Sequence, residues 1–267
     1  MPELPEVNTL ARALDHQLKG DSIISWQPLA PKLRKPLPDT QSAEVILEQT
    51  IRRVFRQAKS IFFEFATGHY LHVHLGMTGY FRLTNDNSDP DKHRHLVIEL
   101  LSGRTLSYFD PRKFGVVEIL HRLPDKVPEP FKDDLSIEYI RLACQKSRRA
   151  IKTMIMDQSI IAGLGNIYAG EALFKAGIMP DRPASELSKA EVTRLYNAML
   201  EVIDSAVTAG LKSLLPNFYI DEETTHFEID TSVYQKAGLL CCQCRKQSIE
   251  KIDIGGRSSF YCRNCQK

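Results

Sequence analysis

The chain has 267 residues and a hydrophobic fraction of 43%, enough for one large or two medium domains with an apolar core. Its formal net charge of +2 is too small to indicate a polyanionic partner, so such a partner would need a local concentration of charge. The sequence shows no apolar signal region and no apolar run of membrane length, which predicts a cytoplasmic protein without membrane contact.

The first seven residues, Met1-Pro2-Glu3-Leu4-Pro5-Glu6-Val7, contain a candidate nucleophile. If Met1 is removed, the nitrogen of Pro2 becomes a secondary amine with a reference pKa of about 8, and its unprotonated form can attack an electrophilic carbon to give a Schiff base. Glu3 is placed beside it to protonate a leaving group. The alternative is that Pro2 only directs the N-terminus to solvent and that the glutamates favour a helix start. These residues alone leave both interpretations open.

An amphipathic helix is predicted directly after this motif. Its apolar stripe, with helical spacing, comprises Val7, Leu10, Ala11, Leu14 and Leu18. Pro5 suits the first helical position, and Gly20 is the expected end. The N-terminus is therefore expected to be held on a packed helix, with Glu3 at or just before the positive helix end.

Residues 22 to about 120 are predicted to be mainly β. Short β-branched or aromatic runs at 61–65, 70–74 and 96–100, without helices between them, favour an antiparallel sandwich or barrel. Two turns, 74–79 and 110–115, combine Met or Phe with basic residues, and exposed side chains of these types suit a wedge into stacked bases. The alternative, that Met77 and Phe114 cap the sandwich core, is the interpretation that the turns alone favour.

A linker and a helical region follow. Pro128 and Pro130 stand among charges in a stretch without apolar periodicity, and from Ser136 to about Gly210 the apolar period becomes helical. The turn Gly163-Leu164-Gly165-Asn166 precedes a predicted helix, whose free N–H groups can bind an anion, although helix hairpins also use glycine for close packing. The predicted divisions are 1–124, a linker at 125–135, 136–232 and 233–267.

The C-terminal tail carries a metal-binding pattern. Two C-x-x-C pairs, Cys241 with Cys244 and Cys262 with Cys265, are separated by 17 residues, as in a four-thiolate zinc ribbon on a β-hairpin. Cys242 is a competing ligand whose side chain should project the other way. Residues 241–267 contain six basic and two acidic residues, a net charge of +4. That charge suits a phosphate backbone, whereas the alternative is a structural clip that binds nothing.

Six motifs together resemble the formamidopyrimidine-DNA glycosylase (Fpg/Nei) family, in the same order and over nearly the whole chain. Besides the N-terminal motif and the four-cysteine ribbon, they are Arg56-Gln57-Ala58-Lys59, His74-Leu75-Gly76-Met77, Asp110-Pro111-Arg112-Lys113-Phe114-Gly115 and Gly165-Asn166-Ile167-Tyr168-Ala169. The resemblance implies an α+β protein with an N-terminal β-sandwich and helix, a C-terminal helix-two-turn-helix domain, and a zinc-ribbon finger with one structural Zn²⁺. It also implies a monomer in the bacterial cytosol that acts on damaged double-stranded DNA.

The resemblance also implies residue roles. Pro2 corresponds to the nucleophile that attacks C1′ of the damaged nucleotide, and Glu3 to the acid that assists base departure. Lys59 and Arg257 correspond to residues of β- and δ-elimination that also hold phosphate. The remaining matches are DNA contacts: His74, His93 and Asn166, and the residues that fill the gap left by the flipped base, Met77, Arg112 and Phe114.

The main departure lies in residues 211–230, which lack the Gly-Gly-Thr-Thr start and the glycine-rich centre of the family's lesion-capping loop. The expected function is a base-excision glycosylase for oxidised and ring-opened purines, with AP lyase activity, that acts on formamidopyrimidine and comparatively weakly on 8-oxoguanine. The alternatives are a Nei-like glycosylase for oxidised pyrimidines and a paralogue that acts mainly on abasic sites. A non-catalytic zinc-ribbon DNA-binding protein is the alternative from another class, and it should lack Pro2, Glu3 or Lys59.

Overall fold

A computed structural model describes residues 2–85, 90–131, 134–215, 218–225, 227 and 229–267. Met1, on whose removal the nucleophile prediction depends, lies outside these residues. The described chain forms two compact units: the first comprises residues 1–126 and 209–227, and the second comprises residues 127–208 and 228–267. The boundaries at 124, 135 and 232 stay predictions. Within the described part, no helix combines the length and the apolar character that a membrane span requires.

The first unit begins with the predicted amphipathic helix, α1 (Leu4–Leu18). All five residues of the predicted stripe are buried, so the prediction from spacing is confirmed. Each leucine buried in this way contributes about 1.5–3 kcal/mol relative to an exposed one. The helix begins one residue before the expected position, and Gly20 follows its C-cap with φ +88. The chain start is thereby anchored in the core of this unit.

Two antiparallel four-stranded sheets follow, as the β pattern predicted. One has the order β1 (Ile23–Pro28), β6 (Arg94–Leu100), β7 (Thr105–Phe109), β5 (Tyr80–Thr84). The other has the order β2 (Ile51–Gln57), β3 (Ser60–Phe65), β4 (Tyr70–His74), β8 (Val116–Leu120), and a short helix, α2 (Thr40–Ala43), lies between β1 and β2 in sequence. Both sheets and α1 contribute side chains to one apolar core, which makes this the expected β-sandwich.

The second unit is mainly helical. It contains α3 (Ile137–Gln145), α4 (Ile151–Ile155), α5 (Asn166–Ala176) and most of α6 (Lys189–Ser213). The connection from α4 to α5 is held by Gln158, whose side chain donates to the carbonyl groups of Met156 and Leu164 and accepts from the amide of Gly163. The helical period that the sequence shows from Ser136 onward is therefore confirmed.

The second unit ends in a hairpin of β9 (Glu250–Ile254) and β10 (Arg257–Tyr261). Gly255 and Gly256 form its two-residue turn with φ +61 and +72, which only glycine adopts without strain. Glu171 on α5 fixes the entry to this module, because its buried carboxylate accepts the backbone N–H groups of residues 232, 233 and 234 at 2.7–3.0 Å.

Candidate active site, DNA-contact turns and zinc centre

Pro2 and Glu3 are both buried at the start of α1, and Glu3 is only 2% exposed. Glu3 is the N-cap residue in an extended conformation, and its backbone N–H donates to the Glu6 carboxylate at 2.8 Å as part of a capping box. Pro2 itself is therefore not exposed to solvent, whereas the residue before it lies outside the described part of the chain. Burial of the Glu3 carboxylate takes it out of water, where charge–charge interactions are weaker than in a protein.

Lys59 lies in the tight turn between β2 and β3. The strand register pairs Gln57 with Ser60, which leaves Ala58 and Lys59 as a two-residue turn, with Ala58 at φ +54. The Arg56 guanidinium donates to the Ala58 carbonyl oxygen at 2.9 Å and supports this backbone. Lys59 is only 7% exposed, although lysine is seldom buried. A rigid, buried turn thus positions this ammonium group.

His74 ends β4 and is neutral at physiological pH. Burial, together with the electrostatic effects of His72, Lys59 and Arg34, lowers its pKa to about 4. Its Nδ1 accepts the backbone N–H of Gly76 at 3.0 Å, so the neutral ring carries its proton on Nε2. His74 can therefore donate a hydrogen bond to a phosphate oxygen but brings no positive charge.

The two predicted turns, 74–79 and 110–115, are bound to one another through Asp110. This residue is fully buried, and its carboxylate accepts the Thr78 hydroxyl at 2.7 Å, the Gly115 amide at 2.7 Å and the Arg112 amide at 3.3 Å. Three donors on one carboxylate make the turns a single structural element. We refer to residues 74–79 and 110–115 as the paired turns.

Glycine is required where the paired turns approach each other. A Cβ at Gly76, which has φ +65, would lie 2.5 Å from the carbonyl carbon of Phe114. A Cβ at Gly79 or Gly115 would overlap the buried hydroxyl of Tyr108. Larger residues at these positions would separate the turns.

The paired turns present Met77 and Phe114 to solvent, with 37% and 44% of their surface exposed. The interpretation that they cap the sandwich core is therefore wrong. The Arg112 guanidinium lies 4.7 Å from the centroid of the Phe114 ring, a cation–π distance. His93 adjoins the same element, since its carbonyl accepts the Asp110 amide at 3.0 Å, and its ring lies 3.3 Å from the Asp91 carboxylate. An exposed cluster of Met, Phe and Arg on a rigid base suits insertion into a base stack.

Asn166 and Arg257 belong to the second unit. Asn166 is the first residue of α5 after the Gly165 N-cap, and its Nδ2 donates to the Ser258 carbonyl at 3.1 Å. Lys152, which is buried, donates to the same carbonyl at 3.2 Å and to the Ser259 hydroxyl at 2.7 Å. Arg257 precedes these residues at the start of β10 and is exposed. Two donors therefore anchor the strand that presents Arg257.

The four predicted cysteines come together, with all sulfur atoms within 4.8 Å of one another. Zn–S bonds of about 2.3 Å in a tetrahedron require sulfur atoms about 3.8 Å apart. Two pairs lie at that distance: Cys241 and Cys265 at 3.8 Å, and Cys244 and Cys262 at 3.7 Å. Backbone N–H groups of Lys246 and Gln247 point at the Cys244 sulfur and lower the pKa of that thiol to about 6. The site fits one structural zinc ion.

The remaining cysteines lie outside this cluster. Cys242 is exposed and contributes no sulfur to the cluster, as predicted from the expectation that its side chain projects away from that of Cys241. Cys144 is buried in the second unit, and burial raises the pKa of its thiol to about 11, so it is a small core residue.

Three residues that support the site were not predicted from the sequence. Asp110 accepts hydrogen bonds from both turns, the buried Lys152 donates to β10, and Glu171 accepts three backbone amides. Each of them bonds to a segment that is distant in sequence: the separation is 32 residues between Thr78 and Asp110 and 107 residues between Lys152 and Ser259. The one signal available for Asp110 was its position before Pro111 at the start of a turn.

Comparison with known proteins identifies the family. The formamidopyrimidine-DNA glycosylase N-terminal domain matches residues 1–117, and the formamidopyrimidine-DNA glycosylase H2TH domain matches residues 127–216. The chain belongs to the formamidopyrimidine-DNA glycosylase family. The formamidopyrimidine-DNA glycosylases of Geobacter metallireducens and Yersinia enterocolitica are 39% and 35% identical to it, with 100% of both chains covered in each comparison.

Solved structures of this family have the same fold. The Lactococcus lactis enzyme in complex with DNA containing an abasic site has a TM-score of 0.88 and 29% identity, over 99% of each chain. The same enzyme bound to FAPY-dG-containing DNA has a TM-score of 0.88 and 29% identity, over 99% of this chain and 100% of that chain. The family assignment and the β-sandwich, H2TH and four-cysteine architecture agree with the expectations from the sequence.

Proposed function

We propose that this chain is a base-excision DNA glycosylase and AP lyase that removes oxidised and ring-opened purines, with Pro2 as its nucleophile. The supporting observation is the burial of Pro2 and Glu3 at the start of α1 in a chain that belongs to this family. A catalytically silent DNA-binding paralogue has no use for such an N-terminus. The retention of Lys59 in a rigid turn argues against that alternative too.

In the proposed reaction, the amine of Pro2 attacks C1′ of the damaged nucleotide after Met1 has been removed. The bond between C1′ and the base breaks, and Glu3 supplies a proton that assists base departure. The nitrogen of Pro2 then passes its proton to O4′ as the C1′–O4′ bond breaks and the sugar ring opens, which leaves an iminium ion between Pro2 and C1′ that acidifies the C2′ protons. Removal of one such proton expels the 3′ phosphate, and a second elimination expels the 5′ phosphate. Lys59 and Arg257 are the cations proposed to act in these two steps and to hold the phosphates.

Access to C1′ requires that the damaged nucleotide leave the helix. We assign the paired turns to this step: Met77 and Phe114 would enter the vacated space, and Arg112 would contact the unpaired base. Their exposure and the Asp110 anchor support this role, because a wedge must be both accessible and rigid. His74, His93 and Asn166 would bind the backbone around the lesion, with His74 as a neutral donor.

Zinc has a structural role in this proposal. When bound, it would link Cys241, Cys244, Cys262 and Cys265 and replace the core that so small a hairpin lacks. The hairpin would then hold Arg257 in place for the phosphate. We also propose that the protein acts as a monomer in the cytoplasm on damaged double-stranded DNA.

Residues 211–230 are proposed to set the substrate preference. This segment contains no glycine, α6 extends into it as far as Ser213, and Leu214 and Ile220 are buried in the core of the first unit. The Phe218 ring stacks on His16 of α1 with centroids 4.1 Å apart. Such a packed segment has fewer backbone N–H groups to offer a flipped base than a glycine-rich loop. Since strong discrimination requires hydrogen bonds to the substrate, we propose weak excision of 8-oxoguanine.

A single-turnover comparison tests this function. Duplexes of identical sequence would carry formamidopyrimidine, 8-oxoguanine, an oxidised pyrimidine or an abasic site. We expect full lyase activity on the abasic site and efficient excision of formamidopyrimidine, because a poorly stacked lesion leaves the helix easily. An excision rate for 8-oxoguanine equal to that for formamidopyrimidine would refute the proposed role of residues 211–230. Preference for the oxidised pyrimidine would instead support a Nei-like specificity.

A further inference from the structure

A groove of about 580 Å³ lies on the second unit, and no residue assigned to the reaction is among those that line it. It is lined by the exposed side of α3, by the segment that follows α3, and by Ile160. Its lining residues are Tyr139, Leu142, Ala143, Lys146, Ser147, Arg148, Arg149 and Ile160. We call this feature the α3 groove. Its volume lies in the range that holds several side chains or a small ligand.

Helix α3 has two apolar faces, and only one of them is covered. Ile140 and Cys144 are buried in the unit, as expected for a helix that packs on a core. Tyr139, Leu142 and Ala143 form a second stripe with spacing i, i+3 and i+4, and Leu142 is 42% exposed. A nine-residue surface helix with one partner needs only one apolar face, so the second stripe indicates a binding surface.

The floor of the α3 groove is fixed in shape. The Tyr139 hydroxyl donates to the Ile160 carbonyl at 2.9 Å, which ties α3 to the segment after α4. The Ser159 hydroxyl, together with the Arg149 guanidinium that donates at 2.9 Å, lowers the pKa of Asp157 to about 2. Asp157 is therefore charged at physiological pH, and Arg149 is neutralised in place.

The remaining charge of the α3 groove is positive. Lys146 and Arg148 are exposed at the end of the apolar stripe, and in the part of the chain that the structure describes neither forms an ion pair with a carboxylate. No acidic residue is among the lining residues. An apolar floor that ends at two unpaired cations is complementary to an acidic chain that carries bulky apolar side chains.

We propose that the α3 groove binds an acidic peptide segment of a partner protein, with an apolar side chain on Leu142 and Tyr139 and carboxylates at Lys146 and Arg148. Duplex DNA fits this surface less well, because a phosphate backbone offers charge to the cations but nothing apolar to the floor. An acidic tail that docks here would connect the enzyme to another protein.

Fluorescence anisotropy with the full chain tests the proposal. The probe is a fluorescein-labelled twelve-residue peptide rich in aspartate, with one phenylalanine and one leucine; the control peptide has serine at both apolar positions. We expect the probe to bind and the control peptide to bind at least about tenfold more weakly, since burial of one large apolar side chain is worth that much. Leu142→Gln and Arg148→Gln should each lower the affinity for the probe by about the same factor.

Matched substitutions on the first unit separate the groove from general surface effects. Leu101→Gln removes an exposed leucine and Arg122→Gln an exposed arginine, and neither should change probe binding. Incision of abasic DNA should be the same in all four variants. Equal binding of the two peptides, or equal binding by Leu142→Gln and Leu101→Gln, would overturn the proposal. Displacement of the probe by undamaged duplex, with weaker duplex binding in Arg148→Gln, would assign the groove to DNA instead.

Discussion

The Asp110 carboxylate offers a quantitative test of how the paired turns are held. Asp110→Ala leaves the buried Gly115 amide and the Thr78 hydroxyl without their acceptor, whereas the Arg112 amide keeps the Thr78 hydroxyl oxygen as an acceptor at 3.3 Å. An unsatisfied buried donor costs about 1–3 kcal/mol, so the free energy of unfolding should fall by about 2–5 kcal/mol. Asp110→Asn keeps one acceptor oxygen and should cost about 1–3 kcal/mol.

Thr78 supplies the matched pair for this experiment. Thr78→Val removes one hydrogen bond to a charged group and should cost about 1.5–3 kcal/mol, while Thr78→Ser keeps the hydroxyl and should cost less. Urea unfolding at constant m-value measures these differences. If Asp110→Asn and Thr78→Val both unfold at the urea concentration of the unsubstituted protein, the hydrogen bonds of Asp110 do not hold the turns.

The same variants connect the turns to base extrusion. Asp110→Asn should slow single-turnover excision of formamidopyrimidine from a duplex by about tenfold, which corresponds to about 1.4 kcal/mol in the transition state. Schiff-base formation on an abasic site should change much less, because no base has to leave the stack. Equal losses in the two reactions would mean that Asp110 affects the chemistry rather than the wedge.

Three further predictions concern charge and metal. Between pH 6.5 and about 4 an unfolded chain protonates His74 while the folded chain does not, so the free energy of unfolding should decrease as the pH is lowered. From pH 6.5 to pH 5 this loss should be about 1–2 kcal/mol smaller in His74→Asn than in the unsubstituted protein, as measured by urea unfolding at both pH values. Cys244→Ser should abolish the one zinc ion found by metal analysis, whereas Cys242→Ser should retain it. Arg257→Gln should lower the slope of log K against log salt by about one for abasic duplex, and an unchanged slope would remove Arg257 from the phosphate contacts.

The sequence predicted those features that depend on short-range spacing. The stripe from Val7 to Leu18 gave α1 almost to the residue, and the two C-x-x-C pairs identified four sulfur atoms that the fold brings within 4.8 Å. Short β-branched and aromatic runs at 61–65, 70–74 and 96–100 likewise predicted the β region, because such side chains favour strands. In each case the pattern and the structure it specifies lie within one element or one hairpin.

Contacts between distant segments could not be predicted in this way. The burial of Asp110 depends on Thr78, and the exposure of Phe114 depends on the close approach of Gly76 to its backbone. The low pKa of His74 arises from burial, from His72 on the same strand, and from Lys59 and Arg34 on two other segments. Residues 211–230 show no period, and after α6 ends at Ser213 the described side chains of Leu214, Phe218 and Ile220 pack on the core of the first unit without forming one face of a regular element.

Borohydride trapping on abasic DNA tests the role of Pro2 most directly. Sodium borohydride reduces the iminium ion to a stable amine, so the protein that has lost Met1 should yield a covalent protein–DNA adduct, with the added mass on the peptide that begins at Pro2. A variant with an uncleaved N-terminal extension has an amide at this nitrogen and should give no adduct, although it should still bind the duplex. An adduct of equal yield in the extended variant, or an adduct mapped to Lys59, would contradict the assignment of Pro2 as the nucleophile.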